Sequence, residues 1–155
     1  MTSRRDISAN GGDEGAGYAH APVMVREVLA VFAPVDSGVV VDATVGGAGH
    51  AIALLEAHDR IELIGLDQDP AAVAAARGRL ARFGDRARVV HARFDELARV
   101  LDDLGVESIR GVLFDLGVSS HQLDEPTRGF SFRGEGPLDM RMDPTRPRTA
   151  ADLVN

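Results

Sequence analysis

Short apolar runs alternate with segments of helical periodicity through the middle of this chain, and that alternation restricts the fold more than any other feature. Residues 39–45, 61–66, 88–94 and 111–116 read as strands. The first two are mostly Val, Ile, Leu and Ala, interrupted by Asp42, Thr44, Glu62 and Gly65, and the first reads as a strand buried on both faces. A helix pattern at 50–57 carries Ile52, Leu54 and Leu55, and another begins at Pro70, with Asp69 placed to cap it. Val73, Ala76, Leu80 and Phe83 form the inner face of that second helix, which ends before Gly84. A third, at 96–104, turns Leu97, Leu101 and Leu104 inward and closes at Gly105. Ahead of all these, Met24, Val25, Val28, Leu29 and Phe32 share one helical face, with Pro22 in the first turn and Pro34 as the stop. Strands separated by short helices predict an α/β fold with parallel pairing through right-handed crossovers. Ligands in such sheets lie beyond the carboxyl ends of the strands, where strand order reverses. If the fourth strand lies beside the first, opposite the second, the crevice runs between them and is bordered by residues 42–50, Asp67, Phe94 and Asp115.

A length of 155 residues suits one domain with a core on both faces of a sheet. Residues 1–19 are rich in Gly, Ser, Asp and Asn without apolar periodicity, and are expected to form a disordered leader. The absence of cysteine excludes disulfides and thiolate metal sites. No apolar run approaches the roughly 18 residues of a membrane span, and no secretory segment follows Met1, so a cytoplasmic location is expected. The formal charge of −7 argues against a chain that grips nucleic acid over its whole surface, so any RNA contact is expected to be local. All 17 basic residues are arginine, which fits biased base composition as well as recognition of phosphate by the guanidinium fork.

The sequence DATVGGAGH at residues 42–50 places glycines between the first strand and its helix, where backbone can approach a ligand and helix N–H groups favour negative charge. Alone this is a weak signal. A dinucleotide fingerprint requires G-x-G-x-x-G/A, and from Gly47 the chain has Ile52 in the final position, which argues against a nicotinamide cofactor. A cofactor with a carboxylate beside an ammonium and a sulfonium suits the loop better, with Asp42 as a nearby acid. Asp67 follows Gly49 by 18 positions, near the spacing at which an acid accepts hydrogen bonds from ribose hydroxyls. Its alternative use as a helix cap is already served by Asp69. Phe94, taken alone, fits core packing. His50 has no second histidine at helical spacing and no thiolate near it, so a metal site is not expected; it reads as a first-turn residue facing the ligand. His20, His58, His91 and His121 read as structural or surface residues.

From Val112 to Arg146 the chain runs VLFDLGVSSHQLDEPTRGFSFRGEGPLDMRMDPTR, with seven glycines and prolines that argue against any regular element. So long a loop in a compact domain is usually functional. Arg128, Arg133, Arg141, Arg146 and Arg148 with Phe130 and Phe132 suit phosphate contacts and base stacking. Six acids between His121 and Asn155 against five arginines fit a self-paired loop equally well.

Together, the glycine cluster and this loop resemble the family of bacterial small-subunit rRNA cytosine N4-methyltransferases, over a stretch from about His20 to Asn155. The resemblance implies a Rossmann-like class I S-adenosylmethionine-dependent fold. It implies contacts to S-adenosylmethionine from Ala48, Gly49 and His50, from Asp67 to the ribose, from Phe94 on the adenine side, and from Asp115 and Gln122. Ala48 stands where a glycine is common. The implied reaction is methyl transfer to the exocyclic N4 of a cytidine in the decoding region of 16S rRNA, with the small ribosomal subunit as partner. Many amino-methyltransferases carry an acidic or amide residue, then Pro-Pro and an aromatic, at the end of the fourth strand; here Asp115-Leu116-Gly117-Val118 stands there. Asp115 is expected to orient cofactor or target amine, and no residue is assigned as proton acceptor. The family's fold has seven strands, so residues 20–155 are expected to be the N-terminal part of the domain, truncated before the remaining strands and a helical insert. A non-catalytic cofactor-binding or RNA-associated remnant is the alternative.

Overall fold

The computed structural model describes residues 22–155; the leader expected at 1–19 and His20 lie outside them. Four parallel strands form one sheet: β1 (Gly38–Asp42), β2 (Ile61–Asp67), β3 (Ala87–His91) and β4 (Gly111–Leu113), in the order β3-β2-β1-β4. In register, Val40 stands between Leu63 and Gly111, and Asp42 between Gly65 and Leu113. Strand order reverses between β1 and β4, which meets the condition under which the crevice lies between them.

Period-two alternation divides the core between the two faces. Val40, Leu63 and Ile61 pack with α1 (Val25–Phe32), α2 (Gly49–Ala57) and α3 (Pro70–Leu80), through Val28, Leu29, Phe32, Leu54, Leu55, Ala76 and Leu80. Val41, Ile64 and Leu66 face the other way and are covered by α4 (Leu97–Asp103), through Leu97, Val100 and Leu101. At about 25 cal/mol per Å² of apolar surface, burial on both faces is the main force holding the sheet. Asp69 caps α3 by accepting the Ala71 N–H at 3.0 Å, and Pro70 takes the first helical position. Met24, expected on the inner face of α1, is instead its exposed N-cap.

Three strands end earlier than the sequence predicts: β1 stops at Asp42 rather than Val45, and β3 and β4 at His91 and Leu113. After His91 the Ala92 N–H still reaches the Asp67 carbonyl, but Phe94–Glu96 is a 3-10 turn. After Leu113 the Asp115 N–H is taken by the Thr44 hydroxyl at 2.7 Å, which draws the chain out of the ladder. The long loop also contains regular structure where none was expected. A short helix, α5 (Ser120–Asp124), is opened by a reciprocal capping box between Ser119 and Gln122, and Pro126–Arg128 forms a 3-10 turn. A last turn of helix, α6, spans Ala151–Val154. Among the described residues no helix is long and apolar enough to cross a membrane.

Candidate functional site

A crevice of about 890 Å³ opens at the carboxyl ends of the strands, within the usual range of small-molecule sites. Its floor is the β1–α2 turn. Ala48 is the N-cap of α2 with φ 62° and ψ 25°, a left-handed conformation unusual for alanine, and its methyl is fully buried. Gly49 follows, and any side chain there would strike Pro22, whose ring closes the crevice from the N-terminal side.

His50 stands in the first turn of α2, buried, with Nε2 2.8 Å from the Val23 carbonyl oxygen. A carbonyl only accepts, so Nε2 carries the hydrogen and the neutral ring keeps its acceptor lone pair on Nδ1. That nitrogen is 3.8 Å from a carboxylate oxygen of Asp115. Asp115 itself is half exposed and fixed through its backbone by Thr44.

Asp67 lies at the end of β2, on the opposite side of the turn. One carboxylate oxygen accepts the Gly46 N–H at 2.9 Å and the other the Asp69 N–H at 2.9 Å. Each oxygen keeps a further lone pair, so the group can accept two hydroxyls without moving. Burial raises its pKa, opposed by those two N–H donors. Phe94 lines the crevice from its 3-10 turn with 41% of its surface exposed, and its ring meets Phe114 edge-on at 5.9 Å. The ring is thus open to the crevice rather than packed in the core.

The wall facing α2 comes from the loop, residues 116–122 with Met142. Gln122 borders the crevice, but both ends of its side chain are committed. The oxygen accepts the Ser119 N–H at 3.0 Å, and the amide nitrogen donates to Asp69 at 3.0 Å. The second amide N–H and the second oxygen lone pair are not used by these two bonds.

Sequence reasoning brought these residues to one place, with two exceptions. Ala48, expected to contact the ligand, is fully buried and does not line the crevice; its N–H goes to the Val45 carbonyl and its own carbonyl accepts the Ile52 N–H. Asp42, read as an acid near the ligand, is 1% exposed and is not among the residues lining the crevice. It accepts the Thr44 N–H at 3.2 Å, and burial pushes its pKa up to about 7, aided by Asp67 and Asp115 and opposed by the Thr44 N–H and His50. Gln68 lines the crevice without any sequence signal, and so do Arg79 and Arg93, which the sequence places among arginines of a solvated face. Asp69, read only as a helix cap, also binds Gln122 and Arg128, partners that its capping function did not announce. Among the described residues no cluster of three or more His, Asp or Glu forms a metal site.

A glycine turn at the strand-order reversal, an acid ending β2, and an open aromatic after β3 make this the cofactor half of a class I S-adenosylmethionine-dependent methyltransferase fold. The residues present fit that cofactor: the acid matches its ribose, the ring its adenine, and the α2 N-terminus its carboxylate. Residues 17–155 match the MraW methylase family, and the chain belongs to that family. The ribosomal RNA small subunit methyltransferase H of Geobacter sulfurreducens is 56% identical over 139 residues, covering 89% of this chain and 45% of that protein. Its counterpart in Thermobifida fusca is 51% identical over 140 residues, covering 88% and 42%. The chain thus spans less than half the length of these curated relatives. The fold resembles that of an rRNA methylase from Streptococcus thermophilus, with a TM-score of 0.50 at 24% identity, covering 68% of this chain and 62% of that one.

Proposed function

We propose that this chain forms the S-adenosylmethionine-binding part of an enzyme that methylates the exocyclic N4 of a cytidine in the decoding region of 16S rRNA. In this reading it acts in the cytoplasm on the small ribosomal subunit, and residues 20–155 are the N-terminal part of a domain. The remaining strands and a helical insert then come from sequence that the longer relatives carry and this chain does not span. The observation that carries the reading is the geometry of Asp67, whose two oxygens are held by the Gly46 and Asp69 N–H groups at the edge of the crevice.

The cofactor supplies an electrophilic methyl carbon. The residues of this chain bind and orient. Gly49 presents backbone to the methionine end, with Ala48 shaping the turn from beneath, Asp67 accepts the ribose hydroxyls, and Phe94 lies against the adenine. Gln122 shapes the wall behind them. Asp115, beyond the end of β4, orients the cofactor or the target amine, with the His50 ring beside it. The target amine's lone pair is delocalised into its ring, so alignment with the methyl carbon and removal of a proton are what the site must provide.

Calorimetric titration of this chain with S-adenosylmethionine, with NAD as control and circular dichroism on the same sample, tests the cofactor site. Saturable binding of S-adenosylmethionine alone is expected, weakened about tenfold or more in Asp67→Ala, which loses two charge-assisted hydrogen bonds. A folded chain that binds neither compound would overturn the assignment. Nucleoside analysis of 16S rRNA from a strain lacking the gene tests the target: N4-methylated cytidine should disappear from the decoding region, and its persistence would refute the substrate.

A further inference from the structure

Asp69 is nearly sealed from solvent, yet its carboxylate has three partners. One oxygen caps α3, while the other takes the Gln122 amide at 3.0 Å and the Arg128 guanidinium at 2.8 Å. Arg128 is 13% exposed and does not stop there. Its Nη2 donates to the carbonyl oxygens of Arg141 at 3.1 Å and Met142 at 2.9 Å, and its own carbonyl accepts the Met140 N–H at 3.1 Å. The guanidinium therefore joins three parts of the fold that are remote in sequence: the β2–α3 corner, the α5 segment, and the stretch at 140–142. Asp69 also donates its N–H to Asp67, so the same corner sets the carboxylate at the ribose end. Met142 and Gln122, held by this cluster, are both residues of the crevice wall.

We infer that Arg128 is a positioning residue that moors the loop wall to the ribose end of the crevice, through Asp69 on one side and the Arg141 and Met142 carbonyls on the other. The planar fork is essential to this. Lysine can supply a charge to Asp69, but its single ammonium cannot reach the carboxylate and two diverging carbonyls in one plane. A role limited to neutralising Asp69 would be met by either residue.

Only the effect on the cofactor rests on the reading above; the mooring stands on geometry alone. Hydrogen exchange read by mass spectrometry on the whole chain separates the two, for the parent, Arg128→Met and Arg128→Lys, each with and without S-adenosylmethionine. In Arg128→Met, amides at 119–124 and 139–142 should exchange about tenfold faster or more, as for loss of one partner from a buried ion pair, with β1–β3 unchanged. Arg128→Lys should restore 119–124 but leave 139–142 fast. It also carries the test if Arg128→Met does not fold. Half-saturation by S-adenosylmethionine should need about tenfold more ligand in both variants, a factor of ten being 1.4 kcal/mol. Unchanged loop exchange in both variants, or full rescue of both segments by lysine, would overturn the mooring. A released loop with unchanged affinity would overturn the positioning role. A released loop in a chain whose parent ignores S-adenosylmethionine would uphold the mooring and remove the cofactor reading instead.

Discussion

Asp42 lies beneath the crevice as a carboxyl group that the fold keeps protonated to about pH 7, against 3.8 for an ordinary aspartate, chiefly because it is buried. Between those values the native state binds more protons than the unfolded chain, so stability falls as pH rises through that window and levels off above it. Asparagine keeps the oxygen that accepts the Thr44 N–H and removes the charge. Asp42→Asn should match the parent near pH 4 and exceed its stability at about pH 8 by roughly 2–4 kcal/mol, in line with 1.36 kcal/mol per pKa unit. Urea unfolding at both values would show it, and parallel pH profiles for the two proteins would contradict it. The strained neighbour in the turn behaves differently. Ala48→Gly relieves roughly 1–2 kcal/mol of left-handed strain. The same change removes a buried methyl worth about 0.8 kcal/mol and adds unfolded-state entropy of about 0.4–1 kcal/mol. These nearly cancel, so a shift within about 1 kcal/mol either way is expected on denaturant unfolding. That balance explains why alanine is tolerated where glycine would be conformationally easier.

At the scale of elements, helices were readable because apolar spacing and a capping residue are local signals, as at Asp69-Pro70. Strand ends were less so. Thr44 intercepts the Asp115 N–H across the crevice, and no pattern within 111–116 announces a competitor from another turn. The Ser119–Gln122 capping box is a local signature that was legible but lay hidden in a stretch dominated by glycine and proline. The partners of Asp69 beyond its cap were not legible, because Gln122 and Arg128 meet it only once the loop has folded. That loop is locked by more than arginine. Gly136 passes so close to Pro126 that an added Cβ would overlap the Pro126 carbonyl oxygen, and Arg141 holds Asp139 in a two-point ion pair that lowers the carboxyl to about 2. Gly136→Ala should therefore loosen the loop while leaving the sheet intact. Proteolysis should cut within 117–146 at least several-fold faster, with the far-ultraviolet circular dichroism of the core retained. Equal resistance to protease would show that the two segments can separate at little cost.

On the scale of the whole molecule, the class and the parallel pairing followed from alternation, and the place of the crevice followed once the fourth strand was set beside the first, an arrangement that the structure supplies. What could not be read was how β4 is finished. Among the described residues β4 pairs only with β1, and Val112, Phe114, Leu116 and Val118 are between 37% and 68% exposed at and beyond that edge. An open edge with apolar flanks invites pairing with another chain. Sedimentation should rise with concentration for this chain, and Val112→Lys, which puts a charge on the edge strand, should reduce the effect with the dichroism spectrum unchanged. Concentration-independent sedimentation of the parent would count against it.

The position of β1 between β2 and β4 also sets an order of events. β1, β2 and β3 can pair as successive neighbours once each crossover helix has been made, whereas the other side of β1 stays open until residues 111–115 exist. The Thr44–Asp115 hydrogen bond that closes the seam joins groups 71 positions apart. Contacts of such separation carry the largest loop-closure entropy and form late. The crevice is built across that seam, so on a growing polypeptide the cofactor site is the last part of the sheet to assemble, and a ligand bound there holds shut the contact that takes longest to find.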